Sequence, residues 1–143
     1  MKRILAIALG AFFSLTVLAD HEMHISFEQT PEPVQKYVKQ YFNPADVRIV
    51  EVEDGYEYEI LFVNGVKLDL HSNGTLDKID MGYSGAAIPA GIVPQAIVDH
   101  VAASYPNFII KEYDPDNYKQ SVELTNGMEL IFDVNGRFLG IDD

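Results

Sequence analysis

The chain has 143 residues, 48% of them hydrophobic, with 22 acidic against 10 basic side chains and neither Cys nor Trp. Eight Phe and eight Tyr remove it from the disordered class, whose chains lack the apolar surface to offset ordering entropy. Without Cys there is no thiol nucleophile, thiolate metal cluster or disulfide. A net charge of −12 argues against nucleic acid, whose phosphates require a basic footprint.

The chain opens on a basic Lys2-Arg3 pair, followed by an apolar run from Ile4 to Leu18 broken only by Gly10, Ser14 and Thr16. Val17 and Ala19 occupy the −3 and −1 positions of a small-residue cleavage site. This is the pattern of a secretory signal peptide over residues 1–19, too short and wrongly flanked for a stable span. Cleavage after Ala19 predicts an exported protein, periplasmic or secreted, with no membrane attachment afterwards. Export removes two cations and no acid, so the mature chain is more acidic still. Residues 20–29 read as a flexible N-terminal tail.

A helix is expected next. Thr30 is placed to cap it, Pro31 suits its first position, and Val34, Tyr37, Val38, Tyr41 and Phe42 form one apolar stripe that stops near Pro44. VRIVEVE (47–53) reads as a strand, and Tyr56, Tyr58, Ile60 and Phe62 alternate with Glu57, Glu59, Leu61 and Val63. Asn64-Gly65 matches a two-residue hairpin loop, and Val66, Leu68 and Leu70 alternate with Lys67 and Asp69. Asn73-Gly74 then turns the chain into Thr75 to Asp80.

After a small, glycine-rich joint at 81–90, the pattern returns. A helix follows Pro94, with Val93, Ile97, Val98, Val101 and Tyr105 on one stripe, and strands follow it. The second copy sits at an offset of 62 residues: Tyr56 answers Tyr118, Asn64-Gly65 answers Asn126-Gly127, and Leu68 answers Leu130. Asn73-Gly74 answers Asn135-Gly136, and Ile79-Asp80 answers Ile141-Asp142. The offset slips to 61 for the strand before, where VRIVEVE answers FIIKEYD, and to 63 for the helix. The predicted fold is α+β: two tandem units, each a helix plus a four-stranded antiparallel sheet, spanning 30–80 and 91–143.

The segments FNPADVRIVEVEDGYEYEI…NGVKLDLHSNGTLDKID and YPNFIIKEYDPDNYKQSVELTNGMELIFDVNGRFLGID resemble the PepSY-like family. Its members are described as secreted, β-lactamase-inhibitor-like (BLIP-like) proteins. The resemblance covers about residues 28–142. It implies two α/β units sharing a continuous or paired antiparallel sheet, a periplasmic or surface location, and a non-enzymatic role in binding or inhibiting another protein. Two positions depart from equivalence between copies: the second copy has Asp133 where the first has His71, and Lys119-Gln120 stands where the first copy is acidic.

Candidate chemistry is sparse. Cleavage would free an amine beside His21, and His24 follows, a weak candidate set for Cu(II) or Ni(II) weighed against incidental tail histidines. Asp114, Asp116, Asn117 and Asp133 sit at turns without EF-hand spacing, which Asx-turn chemistry explains. Glu51, Glu53, Asp54, Glu57 and Glu59 lie on the solvent side of the alternation, where a solvated acidic face outweighs a hydrolytic carboxylate pair. His100 falls on the apolar stripe, and no Gly-x-Ser-x-Gly elbow exists. No enzyme activity and no cofactor are expected.

What remains is the sheet face turned away from the helices. In the first copy it should present Glu57, Glu59, Leu61, Lys67 and Asp69. In the second it should present Lys119, Ser121, Glu123, Thr125, Glu129 and Ile131, with Leu61 and Ile131 as apolar anchors. The expectation is a protein-binding module, an inhibitor of a periplasmic or secreted enzyme of protease or β-lactamase type, whose unidentified partner carries a basic surface. The alternative is a small-ligand or metal-binding periplasmic carrier.

Overall fold

The computed structural model describes residues 23–142. The expected leader and cleavage site, with His21, lie outside that range. Among the described residues, nine strands form one antiparallel sheet in which spatial order follows chain order from β1 to β9. They are β1 (Met23–Ile25), β2 (Val47–Glu53), β3 (Glu57–Phe62), β4 (Lys67–His71), β5 (Leu76–Asp80), β6 (Ile110–Pro115), β7 (Lys119–Leu124), β8 (Glu129–Asp133) and β9 (Phe138–Asp142). Helix α1 (Glu32–Tyr41) precedes β2, and α2 (Gln95–Ser104) precedes β6.

The alternation seen in the sequence decides which face is dry. Ile60 and Phe62 of β3, Leu68 and Leu70 of β4, Val122 and Leu124 of β7, and Leu130 and Phe132 of β8 are all at most 2% exposed. They meet Val34 and Val38 of α1 and Ile97 and Val101 of α2 in a single core, so both helices cover the same sheet face. Each fully buried aliphatic or Phe side chain contributes roughly 1.5–3 kcal/mol. His100, at the core edge, stacks on Phe138 with ring centroids 4.4 Å apart.

Three expectations are corrected. The 20–29 tail is, over its described part, built into the fold: β1 pairs with β2, and Phe27 in the following 3₁₀ turn (Phe27–Gln29) is in the core. Three residues are too few for strand periodicity to show. Thr30 does not cap α1; Pro31 holds the N-cap position, and the Thr30 hydroxyl donates to the Phe27 carbonyl at 2.7 Å, closing the 3₁₀ turn instead. The Asn-Gly loops are three-residue rather than two-residue hairpins. In the first, Gly65 N–H donates to the Phe62 carbonyl and Phe62 N–H to the Val66 carbonyl, a turn ending in a left-handed glycine. The same closure recurs around Gly74, Gly127 and Gly136. Each Asn stays at negative φ, and its side chain adds a bond at three of the four turns, as from Thr75 N–H to Asn73 Oδ1 at 2.9 Å.

The joint is packed rather than slack. Met81, 4% exposed, donates its N–H to the Lys111 carbonyl, and β5 pairs directly with β6 through Ile79↔Tyr113 and Asp80↔Glu112. Gly82 must lack a side chain: at φ +57 its Cβ would lie 2.6 Å from the Gly65 carbonyl oxygen.

Candidate functional site on the outer sheet face

The face opposite the helices is a grid of cross-strand partners. One row runs Ile49, Leu61, Lys67, Asp80, Glu112, Glu123, Glu129, Asp142, each directly opposite the next on the neighbouring strand. Its last five members, on β5 to β9, are all carboxylates. A second row runs Glu51, Glu59, Asp69, Lys78, and a third opposes Glu53 to Glu57 and Glu57 to His71. Facing side chains in such ladders lie about 5 Å apart, and directly opposed like charges destabilise by roughly 0.2–1 kcal/mol each.

A few lysine and histidine side chains interrupt the acid. Lys67 Nζ is 3.5 Å from Glu59, and Lys78 Nζ is 3.2 Å from Glu112. His71 lies between Asp77 at 3.4 Å and Glu57 at 3.7 Å. His24 of β1 meets Glu51 at 3.2 Å. Carboxylate oxygens of Glu51, Glu53 and Glu59 come within 4.8 Å of one another, and Glu57, His71 and Asp77 form a second such group.

Asp69 is the focus of this field. Burial pushes its carboxyl up to about 7, and the charge of Glu59 adds to the effect. Its Oδ1 is buried with no hydrogen-bond partner. An acceptor left in that state costs about 1–3 kcal/mol unless a donor or a proton reaches it. Asp114 is raised by burial, despite Lys78 nearby. Lys78 is itself raised, because the bond to Glu112 and the surrounding acids outweigh its burial. By contrast Asp116 and Asp133 are held low by backbone N–H groups of their own turns, from Tyr118 and Lys119 and from Arg137 and Asn135. Their oxygens are committed to Asx turns.

The residues expected on this face lie where the alternation puts them: Glu57, Glu59, Leu61, Lys67 and Asp69 on adjacent strands β3 and β4, and Lys119, Ser121, Glu123, Glu129 and Ile131 on β7 and β8. Thr125 lies just past β7, in the turn. Leu61 and Ile131 are half-buried and five strands apart, about 24 Å at the usual strand spacing, so they are two separate apolar spots. Sequence reasoning missed Asp80, Glu112 and Asp142, which complete the acidic row. Their alternation signal was present, but their alignment depends on the register across the joint.

The helix side carries a different recess. It has a volume of about 400 Å³ and a mostly apolar lining that includes Ile88, Pro89, Val98, Ala102, Phe108 and Ile109. It presents no charged side chain for chemistry.

The family model described as "Putative beta-lactamase-inhibitor-like, PepSY-like" matches this chain twice, over residues 17–78 and 81–140, and the chain belongs to that family. Among solved structures, it is similar to a Bacteroides vulgatus protein titled a "putative periplasmic protein from DUF2874 family", with 32% identity and a TM-score of 0.76 over 87% of this chain and 99% of that one. It is also similar to a Bacteroides thetaiotaomicron protein titled a "putative calcium-regulated periplasmic protein", with 28% identity and a TM-score of 0.77 over 85% and 97% of the two chains. A further Bacteroides vulgatus protein, titled a "putative periplasmic protein of unknown function", shares the fold at 22% identity and a TM-score of 0.77, over 85% of this chain and 99% of that one. No curated protein matches the chain.

Proposed function

We propose that this is an exported, non-enzymatic binding module of the inhibitor type, whose outer sheet face docks on the basic surface of a periplasmic protein. The observation that carries the reading is the row Asp80, Glu112, Glu123, Glu129, Asp142, in which carboxylates face carboxylates across five strands. A fold that tolerates such repulsion on its uncovered face gains when Lys or Arg side chains of a partner neutralise it. Asp69, half-buried between Glu59 and Lys78, adds a further carboxyl to the same face. Leader-like residues 1–19 and the periplasmic relatives support export.

The test is affinity capture from a periplasmic extract with mature protein as bait, beside a bait carrying E112K, E123K and E129K. Proteins retained by the first bait, released by about 0.5 M salt and absent from the second are expected, because exposed charge contacts are screened. Identical capture by both baits would overturn the reading.

One specific observation favours a second reading, a divalent-cation carrier: the Glu51, Glu53 and Glu59 oxygens converge, and a relative is titled calcium-regulated. Hard oxygen donors suit Ca²⁺. Calorimetric titration with CaCl₂, showing a saturating site lost in E59Q, would raise this reading above the first. His24 lies 3.2 Å from Glu51 and serves that cluster rather than a separate copper site in this reading.

A further inference from the structure

The two halves of the sheet end differently. Strand β5 is followed by β6, and Ile79, on its helix side, is 0% exposed beneath that neighbour. Strand β9 is its equivalent by the internal repeat, with Ile141 in the place of Ile79, yet Ile141 is 50% exposed. Among the described residues no strand pairs the far edge of β9. The side chains of this edge have changed in a consistent direction. Where β5 carries Asp77 and Lys78, β9 carries Leu139, 60% exposed, and Gly140. Charged residues, Lys above all, are what proteins place on open edges to prevent pairing, and here the repeat has lost them. The other edge, β1, extends only from Met23 to Ile25, short enough to be a poor template.

We propose that the free edge of β9 receives an extended strand of a partner protein. That strand turns a large apolar side chain toward the helix side, over Ile141, and Lys or Arg toward the outer side, beside Asp142 and Glu129. The β5–β6 junction supplies the template: Tyr113, 4% exposed, pairs with Ile79, and Glu112 of β6 salt-bridges Lys78 across the junction. On β9 the cation is gone and the outer neighbours are Asp142 and Glu129, so the complementary charge on the incoming strand is positive. The same argument disfavours a second copy of this chain, which would bring Asp142 and a net charge of −12 against its like. Strand addition of this kind draws affinity from main-chain hydrogen bonds and specificity from alternate side chains. The site is the main-chain edge of β9; it borders the face proposed above and shares Glu129 and Asp142 with it.

The probe is a synthetic peptide of residues 108–115, the strand that covers β5, carrying E112K and D114K. Titrated into mature protein and followed by amide NMR, it is expected to shift and protect the amides of 138–142. It should bind roughly fivefold more tightly than the unsubstituted peptide, since the residue opposite Asp142 changes from like to opposite charge. Leu139→Lys with Ile141→Lys, both at exposed positions, should abolish binding while leaving the far-UV circular dichroism unchanged. A peptide N-methylated along its backbone removes the pairing groups without touching the protein, and it should not bind. The proposal is overturned if the lysine peptide does not bind at millimolar concentration, or if the N-methylated peptide binds equally. Shifts that map elsewhere, or β9 amides protected in a dimer of the protein alone, overturn it as well. Asp69→Asn, on the face, should leave peptide binding intact, so failure of the face assignment and failure of the edge assignment are separate results.

Discussion

Asp69 concentrates the tension between this sheet's stability and its surface. Its side chain projects from the centre of the first half of the grid, between Glu59 and Lys78, with one oxygen buried and unbonded. The folded state therefore holds its proton up to about pH 7, whereas the unfolded chain releases it near the ordinary value of 3.8. Between those limits the folded protein binds more protons than the unfolded one, so stability falls as pH rises and levels off above about 7. Asp114 and Glu57, also raised by burial, act in the same direction. Asp69→Asn should thus lose less of its Tm than the parent when pH is raised from about 5 to about 8, as measured by thermal unfolding. Parallel Tm–pH curves for the two proteins would contradict this assignment. The same substitution removes the negative charge offered to a partner's cation while keeping an amide oxygen, and capture should weaken most at neutral pH, where the parent carboxylate begins to ionise.

The alternation of each strand was legible residue by residue because side-chain direction is a local property: Glu57, Glu59 and Leu61 must share a face whatever surrounds them. The four Asn-Gly turns were visible for the same reason, although only the glycine adopts positive φ. What the sequence withheld was the lateral order. Asp80 and Glu112 stand opposite each other across a joint and a helix, and their alignment is set by Met81 bonding Lys111 and by Gly82 fitting against Gly65. Without that register, Glu112, Glu123 and Glu129 read as scattered surface acids instead of a row. The row makes an element-scale prediction. Glu123 is opposed by Glu112 on one side and Glu129 on the other. Glu123→Lys should therefore stabilise the free protein by about 1 kcal/mol in low salt, through two relieved repulsions, while weakening partner capture. Chemical denaturation at about 20 mM and about 500 mM salt separates the contributions, because the gain should shrink as screening rises. A destabilised variant at low salt would show that the row is not under electrostatic strain.

At the scale of the molecule, the repeat suggests two bodies and the structure joins them. A unit of about sixty residues buries too little apolar surface to be comfortable alone. Here β5 and β6 continue one sheet, and Ile79, in the first half, packs at 0% exposure with Tyr113 of the second as its strand partner. Side chains from both helices and from both halves of the sheet belong to one core. The duplication was visible in the chain, whereas this fusion was not, since an 81–90 segment of small residues resembles a linker until Met81 is seen buried. Unfolding should accordingly be a single transition. Ile79→Ala, which leaves a cavity at the junction, should cost about 2–4 kcal/mol. It should lower the hydrogen-exchange protection of Leu68 in β4 and Leu130 in β8 by the same free energy, since both open only with the whole molecule. If β8 kept its protection while β4 lost it, the halves would be independent domains. The continuous acidic row could then not act as one rigid docking face.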